Sequence, residues 1–103
     1  MMMAGFTFKF QRILELKEKR EQALQLDVAR LERSIRERQD AAQYWMRMRE
    51  KAMARLREAC RQSDLTVNDQ YGVYLEHLRG EIRLCSEQIN DLEESRQKVR
   101  REL

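Results

Sequence analysis

Proline is absent from this chain, and glycine occurs only three times in 103 residues. Without proline there is no fixed kink and no polyproline segment, and so few glycines leave little material for tight turns. A strand-rich fold, with a turn roughly every 8–12 residues, is excluded on that ground. Long apolar runs are missing too: no stretch approaches the ~20 residues that span a bilayer. The opening Met1-Met2-Met3-Ala4-Gly5 is apolar but too short for a signal peptide. One histidine, two cysteines, and no glycine-rich phosphate loop or nucleophile elbow leave no catalytic or metal-binding constellation. The expectation is a non-enzymatic, cofactor-free, cytoplasmic protein with no direct membrane insertion.

What the chain has in quantity is charge, at 38% of residues, arranged around a seven-residue apolar repeat. With Leu14 at position a, positions a and d read Phe10, Leu14, Lys17, Glu21, Leu24, Val28, Leu31, Ile35, Arg38, Ala42, Trp45, Arg49, Ala52, Leu56 and Ala59. A second register reads Tyr71, Leu75, Leu78, Ile82, Cys85, Ile89, Leu92, Arg96, Val99 and Leu103. Lys17, Glu21, Arg38 and Arg49 are the polar positions of the first, and Arg96 that of the second. Alternating steps of 3 and 4 describe two helices, each burying a narrow seam against a partner. The fold class is all-α: one long antiparallel two-helix coiled-coil hairpin over residues 1–103, a single domain.

The break between the registers, Arg61-Gln62-Ser63-Asp64-Leu65-Thr66, gathers side chains that compete with helical backbone bonds. Thr66 followed by Asp69 has the spacing of a capping box. The prediction is a helix over 8–61, a turn over 62–66 and a helix over 67–103, with Gly72 and Gly80 off the seam of the second. A turn centred near Asp64 sets Val28 opposite Val99, Ile35 opposite Leu92, and Ala42 opposite Cys85. Cys60 then sits close to the turn, about 27 Å from Cys85 along the stem, so two reduced thiols are expected.

Charge is unequal between the arms: residues 6–62 carry +6 and residues 63–103 carry −3, together the chain's +3. Opposite signs favour antiparallel docking, each exposed pair contributing tenths of a kcal/mol. Arg47, Arg49, Lys51, Arg55, Arg57 and Arg61 form the densest basic stretch. It reads as a solvated face balancing the acidic arm, and nucleic acid is not expected as a partner. The acidic run Asp91, Glu93, Glu94 reads as a solvated face as well, and His77, at position c, as solvent-facing.

Two surfaces are left for binding. In this register Leu103 falls opposite Leu24, so about 16 residues of the first helix, or ~24 Å, overhang the second. That overhang carries Phe8, Phe10, Ile13, Leu14 and Leu16, the kind of exposed patch that marks an interaction surface. A second helix continuing beyond Leu103 would cover the same stripe. The other surface is aromatic: Tyr44, Trp45, Tyr71 and Tyr74 lie in the half nearer the turn, with Tyr44 (c) and Tyr74 (g) off the seam beside arginines.

The opening Phe6-x-Phe8-x-Phe10-Gln-Arg-Ile13-Leu14-x-Leu16-Lys17-x-Lys19-Arg20-Glu21 resembles that of the flagellar export protein FliJ family. Leu65-Thr66-x-x-x-x-Tyr71-x-x-Tyr74-Leu75-x-x-Leu78-x-x-x-Ile82 is similar to that family's segment just past the turn. The likeness spans nearly the whole chain, although FliJ-like chains usually run on for many more turns beyond the point matching Leu103.

The resemblance implies a long antiparallel coiled coil similar to the central stalk of rotary ATPases. Such proteins insert the end carrying both termini into a hexameric export ATPase, contact the membrane export gate and recycle export substrate chaperones. By that likeness Phe8, Phe10, Ile13, Leu14 and Lys17 belong to the ATPase-facing end. Tyr71, Tyr74 and Leu78 contribute to gate contact, with Tyr44 added by proximity. It further implies a role in flagellum biogenesis and motility, at the cytoplasmic side of the inner membrane at the flagellar base. The residues alone also admit a generic coiled-coil adaptor or a prefoldin-like holdase chaperone.

Overall fold

In the structure, a computed structural model, residues 2–62 and 65–103 are described, with the side chains of residues 2–4, 6 and 65–67 outside that set. Two helices account for it: α1, Met2–Arg61, and α2, Leu65–Glu102. The predicted hairpin is present. The rod measures 93 × 14 × 14 Å between Cα atoms. Subtracting two Cα radii of about 2.3 Å from the width leaves an axis separation of about 9 Å, as for packed helices. Equal transverse extents fit a pair whose plane turns along its length, as a seven-residue repeat requires.

Both helices start earlier than the sequence suggested. α1 begins at Met2 rather than residue 8, since Met and Ala are good helix formers and the helix continues through Gly5. α2 begins at Leu65 rather than residue 67, so Thr66 lies within the helix and is not its N-cap. The side chain of Thr66 lies outside the described residues, as does the turn at residues 63–64. Gln62, in a turn after α1, donates its N–H to the Glu58 carbonyl at 3.2 Å. At the far end Leu103 donates to the Arg100 carbonyl, also at 3.2 Å.

Among the described residues the buried side chains are Ile35, Ala42, Ala52 and Ala59 of α1 and Leu78 and Cys85 of α2. All six occupy predicted a or d positions. Half-buried neighbours Leu24, Val28, Leu31, Trp45 and Leu56 continue the seam on α1, and Tyr71, Leu75, Ile82, Ile89, Leu92 and Val99 on α2. The α1 side of the turn-proximal half is built on alanine, which lets the larger Leu78 disappear between the helices. Arg38 and Arg49 stay exposed despite their seam positions, because an unpaired guanidinium is not buried without cost. Beside Arg49, Met48 is half-buried and covers that stretch instead, its flexible thioether suiting an irregular gap. Leu103, expected opposite Leu24, is exposed.

Neighbours across the two helices keep the antiparallel register. Ser34 and Arg38 share a groove with Gln88, Asp91 and Leu92. Near the turn, Cys60 Sγ donates to Asn68 Oδ1 at 3.4 Å. Both cysteines are free, Cys60 exposed and Cys85 buried. Among the described residues one ion pair joins the helices, Arg100 Nη2 to Glu32 Oε1 at 2.7 Å. The others, Arg61–Glu58, Arg79–Glu76 and Arg83–Glu87, run along single helices. Charge asymmetry between the arms is therefore expressed mainly as solvated faces.

Candidate functional site

At the open end of the rod, every residue from 7 to 23 is exposed, and the first half-buried side chain of α1 is Leu24. α2 does not extend alongside this stretch. A helix turns by about 100° per residue, which sorts the side chains of the overhang onto different faces. Phe10, Ile13, Leu14 and Lys17 fall in line with Leu24, Val28 and Leu31, so the apolar stripe prolongs the seam that α2 covers further along. Phe8 does not join it. Two residues before Phe10, it points to the reverse of the helix, 68% exposed, above a shallow surface lined with Gln11, Arg12 and Glu15. The expected patch thus divides into a seam-continuing face of Phe10, Ile13, Leu14 and Lys17, and a separate Phe8 on the back.

Toward the turn, the aromatic residues do converge. Trp45 packs edge-on against Tyr44, with ring centroids 5.1 Å apart, and against the His77 ring of α2 at 6.2 Å. This chain of rings ties the two helices together on one flank of the seam. His77 is exposed, as read from its position, but it is not idle: its ring closes the aromatic stack. One to two turns nearer the loop, Met48, Lys51, Ala52 and Arg55 of α1 and Tyr71 and Tyr74 of α2 line a groove. Ala52 forms its floor, while the two cations and the tyrosines form its walls.

The four distal residues suggested for partner contact separate by accessibility. Tyr44 is 51% and Tyr74 37% exposed, and Tyr71 is half-buried at the edge of the groove. Leu78 is 0% exposed. It cannot touch a partner directly, and its place among the expected contacts is corrected: it is the most deeply packed side chain of the seam. Its spacing from Tyr71 and Tyr74 put it in the same motif, but a seam position seven residues after Tyr71 points inward.

Sequence reasoning passed over Met48, which lines the groove, and the outer face of α2, where Val73 and Leu84 are 75% and 48% exposed. Val73, Gly80 and Leu84 follow one another at steps of 7 and 4, which set them on one helical face. Among the described residues there is no cluster of His, Cys, Asp or Glu able to hold a metal ion. No helix among them is long and apolar enough to cross a membrane. Compared with protein-family models, with curated proteins and with solved structures, the chain has no match.

Proposed function

We propose that the chain is a non-enzymatic coupling stalk and general chaperone of the flagellar type III protein export apparatus. In this reading the overhang of α1 docks into the hexameric export ATPase, through Phe10, Ile13, Leu14 and Lys17. Tyr44, Tyr74 and the edge of Tyr71 meet the export gate, and export substrate chaperones are exchanged along the rod. The protein acts at the cytoplasmic side of the inner membrane at the flagellar base.

The observation that supports this most is the continuity of the seam. Phe10, Ile13 and Leu14 carry the packing stripe of α1 past the point where α2 covers it, and all three are exposed. A stripe already shaped for a helix, at the tip of a stiff rod, suits insertion between helices of a larger assembly. The end nearer the turn offers tyrosines beside cations, a composition enriched at binding hot spots. The two surfaces lie far apart on a 93 Å rod, which suits a protein that links two machines.

The test is replacement of Phe10 and Leu14 by Ser, with binding to the purified export ATPase followed by titration and helicity by circular dichroism. The expected result is saturable binding by the unchanged chain, a loss of at least about tenfold in affinity in the variant, and nearly unchanged helicity. A chain that shows no saturable binding to the ATPase but suppresses aggregation of unrelated unfolded proteins would replace the stalk by a holdase.

A further inference from the structure

Two charged ladders on the outside of the rod make no ion pair to the opposite helix among the described residues. On α1, Arg47, Lys51 and Arg55 recur every four residues, a rise of about 6 Å per step. All three are exposed, and none takes part in an ion pair among the described residues. Lys51 and Arg55 line the groove walled by Tyr71 and Tyr74. On α2, Leu84, Glu87, Asp91 and Glu94 follow one another at steps of 3, 4 and 3, all exposed. At about 100° per residue they share one face, together with Val73 and Gly80. Of these acids only Glu87 has a partner among the described ion pairs, Arg83 at 3.2 Å on its own helix.

Within one hairpin the ladders are kept apart. Asp91 lies level with Ser34 and Arg38, whereas Lys51 and Arg55 lie level with Tyr71 and Tyr74. The separation along α2 is 17–20 residues, or roughly 25–30 Å. The spacing of one ladder nevertheless matches the other, since Lys51–Arg55 and Glu87–Asp91 are both four residues apart. Opposite charges at equal spacing on two helical faces are the complementarity that aligns helix pairs.

We propose that a second copy of this chain docks side by side and antiparallel, each α2 laying its Glu87–Asp91 face against Lys51 and Arg55 of the other copy. A twofold axis makes the contact self-complementary, so both ladders of both chains are used at once. Midway along α2 between Tyr74 and Glu87 lies Gly80, where an added Cβ would meet nothing within 4 Å. The two α2 helices approach most closely there, and the exposed Val73 and Leu84 on either side are covered. A nucleic acid fits these cations less well. On the same face of α1 they are bounded by Glu58 toward the turn and by Asp40 and Glu37 on the other side, which confines the positive stretch to about 12 Å. The contact leaves the overhang free, competes with a gate partner for the groove of Lys51, Arg55, Tyr71 and Tyr74, and does not depend on the export reading.

The experiment is sedimentation equilibrium of the full chain at about 100 µM, in about 50 mM and about 500 mM salt. A dimer at low salt that dissociates at high salt is expected. K51E/R55E and E87K/D91K should each be monomeric with nearly unchanged helicity, since all four positions are exposed. Mixed in equal amounts, the two variants should form a dimer again, because every reversed cation then meets a reversed acid. F10S/L14S should dimerise like the unchanged chain. The proposal is overturned by a wild-type chain that stays monomeric at low salt, whether or not it binds a (dT)12 oligonucleotide or an acidic peptide. It is equally overturned by charge-reversed variants that still dimerise, by a mixture that stays monomeric, or by loss of the dimer in F10S/L14S.

Discussion

Glu32 and Arg100, 68 residues apart in sequence, are joined across the hairpin at 2.7 Å, Arg100 donating through Nη2. This contact closes the stem close to where α2 ends. Both side chains remain partly in water, at 37% and 52% exposure, so solvent and salt screen the attraction. A double-mutant cycle with Glu32→Gln and Arg100→Gln should therefore give a coupling of no more than about 1 kcal/mol, shrinking as salt rises. A coupling of zero at low salt would mean that this end of the hairpin is open in solution.

Leu78 and Tyr74 lie one turn apart and should behave oppositely. Leu78 is wholly enclosed, so Leu78→Ala removes packing and leaves a cavity, at a cost of about 2–4 kcal/mol. Tyr74 is exposed at the rim of the groove, and Tyr74→Ala should cost less than about 1 kcal/mol. Urea unfolding of the two variants measures both. Equal losses would place Tyr74 in the seam and shift the register past the turn.

Gly72 is exposed on α2 with open space around the position a Cβ would take. Its helical backbone carries the entropic penalty of glycine with no compensating close approach. Gly72→Ala should accordingly raise stability by about 0.5–1 kcal/mol, seen as a higher urea midpoint with an unchanged slope. A destabilised Gly72→Ala would show that this face of α2 packs against something when the protein is in solution.

The hairpin was legible because its signal is redundant: most turns of each helix repeat the same a/d instruction despite polar exceptions such as Lys17, Glu21, Arg38 and Arg49, and one break shifts the register. Ile35, Ala42, Ala52, Ala59, Leu78 and Cys85 were all read as seam residues and all are buried. Boundaries were harder, since no local rule distinguishes Met2–Thr7 from the helix that follows. The exchange of Arg49 for Met48 was hidden because an ideal helix drifts about 20° per heptad, so a strict repeat misassigns seam flanks some turns away from where it is anchored. Of the binding surfaces, the overhang was visible as apolar residues beyond the reach of α2. The division between Phe8 and Phe10 was overlooked, although their spacing of two residues already sets them on opposite sides. The Tyr44–Trp45–His77 stack depends on how two helices are rotated about their axes, which side-chain spacing alone does not specify.

The exposed stretch from residue 7 to 23 has a kinetic consequence. Its backbone hydrogen bonds are those of a single helix in water, with every side chain from 7 to 23 exposed and the packed stem beginning at Leu24. Helices of that length are marginal by themselves. Amide protons there should exchange with solvent faster toward the N-terminus, in a gradient that stops abruptly at Leu24, where α2 begins to shield α1. A protein that gripped this stretch would lengthen the lifetime of every turn it touched, so slowed exchange between residues 7 and 23 would map its footprint without a structure of the complex.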